Sequence, residues 1–172
     1  ASGVACFAEA GALLALGLIH ADQPAAVDVK SYLAPFLDCP LPTLQHGASL
    51  AVGIQSLGAA DETLTEALKA ILYSDDAVAG EGAALGLGLL WMGTMAATTA
   101  GDKREQATAL ANELKQYAGE TQHEKIIRAL GLALALITFQ SQSVEIPQIL
   151  LASTDPLMRY GGAWAMAMAF IA

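Results

Sequence analysis

Residues 80–93 read Gly-Glu-Gly-Ala-Ala-Leu-Gly-Leu-Gly-Leu-Leu-Trp-Met-Gly, apolar on nearly every side of a helix yet carrying Gly82, Gly86 and Gly88 within it. Glycine in a helix interior costs roughly 1 kcal/mol relative to alanine. What it offers in return is the close approach of another backbone. A helix that is apolar all round is also buried all round. The stretch therefore predicts a helix clamped between neighbours much like itself.

Those neighbours are in the chain. The pattern recurs from Gly11, Gly47, Gly82, Ala129 and Gly161, with a small residue at its first and seventh positions and a large apolar one at its fourth, sixth and eighth. The seventh positions are Gly17, Gly53, Gly88, Ala135 and Ala167. The starts lie 36, 35, 47 and 32 residues apart, a period that suits one helix–turn–helix unit per repeat. The long interval holds residues 95–102, which read as a loop insertion.

Between the glycine-rich segments lie amphipathic ones. Asp22-Gln23-Pro24 opens one, with Pro24 in its first turn and an apolar face of Val27, Tyr32, Leu33, Phe36 and Leu37. Thr43 is placed to cap the next inner helix, which stops at Gly58. Asp61 or Thr63 starts its partner, Ser74-Asp75-Asp76 caps the central helix, and that helix ends at Gly93. A polar helix follows over about 103–117. Thr121-Gln-His123-Glu124 has capping-box spacing, a short helix lies around 144–151, and Asp155-Pro156 starts the last inner helix.

Alternation of these two types predicts an all-α fold. It is an α–α superhelix, or solenoid, of helix–turn–helix repeats with small-residue-rich inner helices and amphipathic outer ones. The tighter inner row makes it curve, as an arc of a ring. Residues 1–172 read as one piece of such a domain, about four repeats and the start of a fifth. The positions expected to carry close helix packing are Gly11, Gly17, Gly47, Gly53, Gly82, Gly86, Gly88, Ala129, Ala135 and Gly161.

Composition limits function. Hydrophobic residues make up 55% and charged residues 15%, too apolar for disorder. Mean hydropathy is +0.47, but Glu9, His46, Glu81 and Arg128 interrupt the apolar runs before they reach the ~20 residues a bilayer needs. With 17 acidic residues against 8 basic ones, nothing tracks a phosphate backbone, so nucleic acid is not an expected partner. Cys6 and Cys39 lack metal-ligand spacing and read as small core residues of an intracellular chain. The first residue is not Met, the first basic residue is Lys30, and the chain ends in an apolar helix. It is therefore expected to be a piece of a longer protein without a signal peptide.

Catalytic motifs fail at specific positions. After His123-Glu124 a zinc HExxH would need His at 127, where Ile127 stands. Gly47-Ala-Ser49-Leu-Ala51 lacks the closing glycine of a nucleophile elbow, and Gly80-Glu-Gly82 lacks the third glycine of a dinucleotide loop. Asp75 and Asp76 suit a helix N-terminus on dipole grounds. Trp164, Met166 and Met168 read as core packing. No enzyme, cofactor or metal site is expected.

The repeats resemble proteasome/cyclosome repeats, the glycine- and alanine-rich helical pairs of the two large non-ATPase scaffold subunits of the 26S proteasome regulatory particle. Related repeats occur in the anaphase-promoting complex. The resemblance covers essentially the whole chain. Residues 12–21, 73–81 and 120–128 are similar to the subunit that contacts the lid rather than to its paralogue, a receptor for ubiquitin-like domains. The resemblance implies a toroid of two concentric helix rings, a non-catalytic scaffold role and location in cytoplasm and nucleus. It also implies other regulatory-particle subunits as partners, with ubiquitin-like domains the alternative, and no membrane. The chain on its own is expected to self-associate through exposed helices.

The residues just before each first small position are Ala10, His46, Glu81, Arg128 and Tyr160. Superimposed repeats place His46, Glu81 and Arg128 in a row along one rim. With Asp75, Asp76, His123 and Glu124, these are the candidate interaction residues.

Overall fold

The computed structural model describes residues 3–74, 76–96 and 98–171. Among them run nine helices and no strand. These are α1 (Gly3–Ile19), α2 (Val27–Leu37), α3 (Pro42–Gln55), α4 (Glu62–Leu72), α5 (Ala77–Leu90), α6 (Gly101–Glu120), α7 (Glu124–Ile137), α8 (Glu145–Leu151) and α9 (Pro156–Ala169). The fold is an all-α array of helical repeats. None of these helices is long and apolar enough to cross a membrane.

Helix starts follow local chemistry. The Asp61 carboxylate accepts from the Leu64 N–H, Asp76 from Val78 and Ala79, and Asp155 from Leu157 and Met158. Each satisfies donors that a helix leaves unpaired at its first turn. Pro42 and Pro156 open α3 and α9, where the missing N–H costs nothing. Of the two residues expected to start α4, Asp61 caps it and Thr63 lies inside. Three other expected starts differ. Pro24 precedes α2 by three residues, and Thr43 lies inside α3, whose N-cap is Leu41. Thr121 takes the His123 N–H at 3.3 Å, leaving His123 as the N-cap of α7, so no capping box with Glu124 forms.

The inner helices keep one register. α3, α5, α7 and α9 each span 14 residues, and in each the first small residue of the repeat is the sixth. The chain divides into two compact units, Ala1–Leu90 and Trp91–Ala172. In the first, α3 lies between α1 and α5, with α2 against α3 and α4 against α5. Its core is Leu33, Val52, Leu68, Leu72 and Leu87, all fully buried. In the second, α7 packs on α9, α6 on α7 and α8 on α9, around Leu114, Ile126, Leu130, Leu134 and Ile137.

Some apolar residues lie outside these cores. Val27 and Tyr32 are exposed, because α2 turns only Leu33 and Leu37 fully inward. Trp164 is not core: it is exposed and sits edge-on to Tyr160, 6.2 Å between centroids, on the face of α9 that α7 and α8 leave open. Met166 and Met168 are half-buried. The insertion is shorter than expected, since α6 already begins at Gly101.

Asp61 joins two outer helices. Besides capping α4 it takes the Lys30 ammonium of α2 at 2.5 Å. Partial burial pushes its carboxyl up, but the Lys30 hydrogen bond, the Leu64 N–H and the Lys30 charge outweigh that and hold it below 3.8. A depressed folded value contributes stability above the unfolded pKa, and that stability is lost as pH falls through the folded one. Asp61→Ala should cost about 1–2 kcal/mol, the range of a lost N-cap. Its deficit against the parent chain should shrink below about pH 4, the ordinary carboxylate range. Urea midpoints at pH 7 and pH 3 check this, and a deficit unchanged at pH 3 contradicts it.

Candidate interaction surface

Inner helices meet backbone to backbone. A Cβ built on Gly17 would lie 2.5 Å from the Ala51 Cα, and one on Gly47 2.6 Å from the Ala10 oxygen. For Gly53 the distance is 2.7 Å to the Gly86 oxygen, for Gly82 2.6 Å to the His46 Cα, and for Gly86 2.5 Å to the Ser49 oxygen. In the second unit Gly161 would meet the Gly131 Cα at 2.5 Å. Real Cβ atoms do not approach so closely, so only glycine fits. Gly88, Ala129 and Ala135 are buried in their helices. Gly131, which carries the α7–α9 contact, was not among the expected packing positions. Gly11 departs from expectation: it is exposed, and a Cβ there meets nothing within 4 Å. The Ser49 hydroxyl is buried in this packing with no hydrogen-bond partner among the described residues. Ser49→Ala should therefore raise stability, by about 1–3 kcal/mol if the whole desolvation penalty is relieved. A fall in urea midpoint would contradict this.

A second device repeats with the same period. The residue eleven positions after each first small residue donates its N–H to an inner-helix carbonyl seven positions into the following repeat pattern. In the first unit Asp22 donates to Ile54 at 3.1 Å and Gly58 to Leu89 at 3.0 Å. In the second, Gly93 donates to Leu136 at 3.2 Å and Gln140 to Met168 at 3.1 Å. All four donors are left-handed, with φ of 56°, 65°, 71° and 57°. Left-handed residues commonly end helices, and here the N–H they present satisfies carbonyls that a helix C-terminus leaves unpaired. Beside the first of these bonds, the buried Gln55 side chain donates to the Gln23 oxygen and accepts from Ser56.

Glycine reaches that conformation freely, whereas other residues pay roughly 1–2 kcal/mol. Gly58→Ala should therefore destabilise by about that amount, while Gln140→Gly should not. Urea midpoints that fall equally for both would contradict the assignment.

The candidate rim residues take distinct places. In the first unit His46 is half-buried, and its Nδ1 donates to the Val78 oxygen at 2.9 Å, which fixes the tautomer because a carbonyl only accepts. Glu81 is half-buried one turn further along α5, and Asp76 caps that helix. Asp75 lies outside the described residues. In the second unit Arg128 and Glu124 are exposed on α7, with half-buried His123 at its start. Between the end of α6, α8 and the start of α9 opens a cavity of about 540 Å³, lined by Lys115, Thr121, Ile127, Ser153, Asp155 and Met158. Among the described residues no three His, Cys, Asp or Glu side chains converge on a metal site.

No family model matches the chain. Curated relatives do. It is 41% identical over 167 residues to the 26S proteasome non-ATPase regulatory subunit 1 homolog B of Arabidopsis thaliana, covering 95% of this chain and 15% of that protein. It is 42% identical over 175 residues to the 26S proteasome regulatory subunit RPN2 of Candida glabrata, covering 96% and 17%. It is 36% identical over 166 residues to the 26S proteasome non-ATPase regulatory subunit 1 of Drosophila melanogaster, covering 95% and 15%. Along about 95% of its length the chain is similar to these regulatory subunits. It spans 15–17% of the length of these relatives. The relatives named here are versions of one subunit, the one whose sequence residues 73–81 and 120–128 resemble.

Proposed function

We propose that the chain is a non-catalytic scaffold segment of the 26S proteasome regulatory particle, organising protein–protein contacts in ubiquitin-dependent degradation in cytoplasm and nucleus. The observation that carries this reading is identity of 36–42% along about 95% of the chain to relatives named as non-ATPase or regulatory proteasome subunits. A backbone-packed array also suits the role, because a surface presented to partners keeps its geometry when the layer beneath cannot slide. Its partners are other subunits of the particle. Exposed Arg128, on α7 of a chain with net charge −9, presents a cation to an acidic partner surface. The experiment is capture of the purified chain on immobilised lid subunits and, in parallel, on a ubiquitin-like domain. Retention on the lid subunits alone, weakened by Arg128→Glu without loss of stability, is the expected result. Retention on the ubiquitin-like domain alone would overturn it in favour of a receptor role.

A further inference from the structure

A groove follows one face of α6 through the second unit. In the first unit the outer helices α2 and α4 pack on each other, joined by Lys30 and Asp61. The outer helices α6 and α8 do not. Three cavities of about 540, 80 and 360 Å³ adjoin α6 instead; the first two share Ile149 and the last two share Thr108. Their α6 wall is Gly101, Glu105, Thr108, Asn112, Lys115 and Gly119. These residues are three or four apart and so share one helix face, which runs about 27 Å at 1.5 Å per residue. The facing wall includes Ser141, Ser143, Ile146 and Ile149. Ile149 is 43% exposed, although Pro147 and Leu150 of the same helix are buried. α6 and α8 are consecutive outer helices, so this gap lies between two parts of the chain and not at either end of it.

The narrow middle and its polar groups define an occupant. A helix is about 10–12 Å across with its side chains, too wide for a waist of about 80 Å³. An extended strand passes it, and at about 3.3 Å per residue about eight residues span the groove. A strand brings unpaired backbone carbonyls, and the waist offers donors. The Ser141 and Ser143 hydroxyls accept the N–H of Ser143 and of Glu145, both at 3.3 Å, which leaves each O–H to donate. Asn112 accepts the Lys115 ammonium at 3.3 Å, which leaves its NH₂ to donate. Half-buried Lys115 lines the largest cavity with buried Ile127, Leu150 and Met158. No carboxylate pairs with it among the described residues. Asp155, which lines the same cavity, is engaged by the first amides of α9. We propose that the groove binds an extended segment of a partner protein, about eight residues long, with a large apolar side chain in the largest cavity and an acidic residue beside it on Lys115. The ammonium selects the acid through a charge-assisted hydrogen bond, and the waist donors hold the backbone. Arg128 lines none of these cavities, so binding here and capture on lid subunits stand or fall separately.

The test pans a phage-displayed library of random eight-residue peptides against the full 172-residue chain. Enriched peptides should carry an apolar and an acidic residue at fixed spacing, without helical periodicity. Lys115→Glu should weaken synthetic copies of them at least about tenfold, the loss of a hydrogen bond to a charged group. Panned itself, that variant should enrich a basic residue where the parent chain selects the acid. Asn112→Ala should weaken binding several-fold, and Lys125→Glu, an equal charge change on exposed α7 surface, should leave it unchanged. Circular dichroism verifies folding, with Lys115→Gln in reserve should the glutamate variant misfold. No enrichment, enrichment of helical sequences, or peptides indifferent to both Lys115 variants would each overturn the proposal.

Discussion

Gly86→Val and Gly161→Val should each lower stability by about 3 kcal/mol or more, beyond the ~1–3 kcal/mol usual for overpacking a core. Both glycines face backbone, at 2.5 Å from the Ser49 oxygen and the Gly131 Cα for an added Cβ. A flexible side chain can swing aside, whereas a backbone atom moves only if its helix does. The added branch would therefore have to part α3 from α5, or α7 from α9. Valine's better helix propensity returns only a few tenths of a kcal/mol, far too little to offset that. Gly119→Val on α6 is the control, since a Cβ there meets nothing within 4 Å. Urea unfolding followed by circular dichroism should show the two packed-site variants falling well below the parent and the control beside it. Three equal midpoints would mean that close approach does not hold the layers together.

Leu150→Ala should cost about 2–5 kcal/mol, as for other fully buried leucines. It should also act locally. α8 has seven residues, far short of the ~12–15 at which an isolated helix becomes even marginal in water. It is helical because it is docked. Leu150, 1% exposed, and Pro147 are its buried residues, and Gly162 of α9 lets it lie close, with a built Cβ only 2.8 Å from the Leu151 nitrogen. Removing the Leu150 anchor should release the whole helix. Hydrogen exchange across 145–151 should then quicken far more than exchange in α7. Uniform quickening throughout the second unit would show that α8 opens only with global unfolding.

The helical repeat was legible in the sequence because its signal is periodic. Glycine and alanine recur where inner helices touch, and every inner helix from α3 onward begins five residues before its first small residue. Individual caps were less legible, since Asp61 and Thr63 compete for one helix start, which Asp61 takes with the Leu64 N–H and the Lys30 ammonium. Trp164 read as core because its spacing matches buried positions elsewhere, yet spacing does not tell whether a neighbour covers that face. The repeat pattern points to Ala129 and Ala135 rather than Gly131, because Gly131 lies between the pattern's small positions. The amide clamp was half visible: Gly58 and Gly93 share its offset, but Asp22 and Gln140 hide it, since neither announces a left-handed backbone.

The central physical claim is that repeats are joined through backbone, by glycine contact and by the loop amides that reach inner-helix carbonyls. Hydrogen exchange at single-residue resolution tests it most directly. Asp22, Gly58, Gly93 and Gln140 all lie outside helices, yet their amides should exchange as slowly as those in the last turns of α3, α5, α7 and α9. Exchange of these four at the rate of free loop amides would contradict the account.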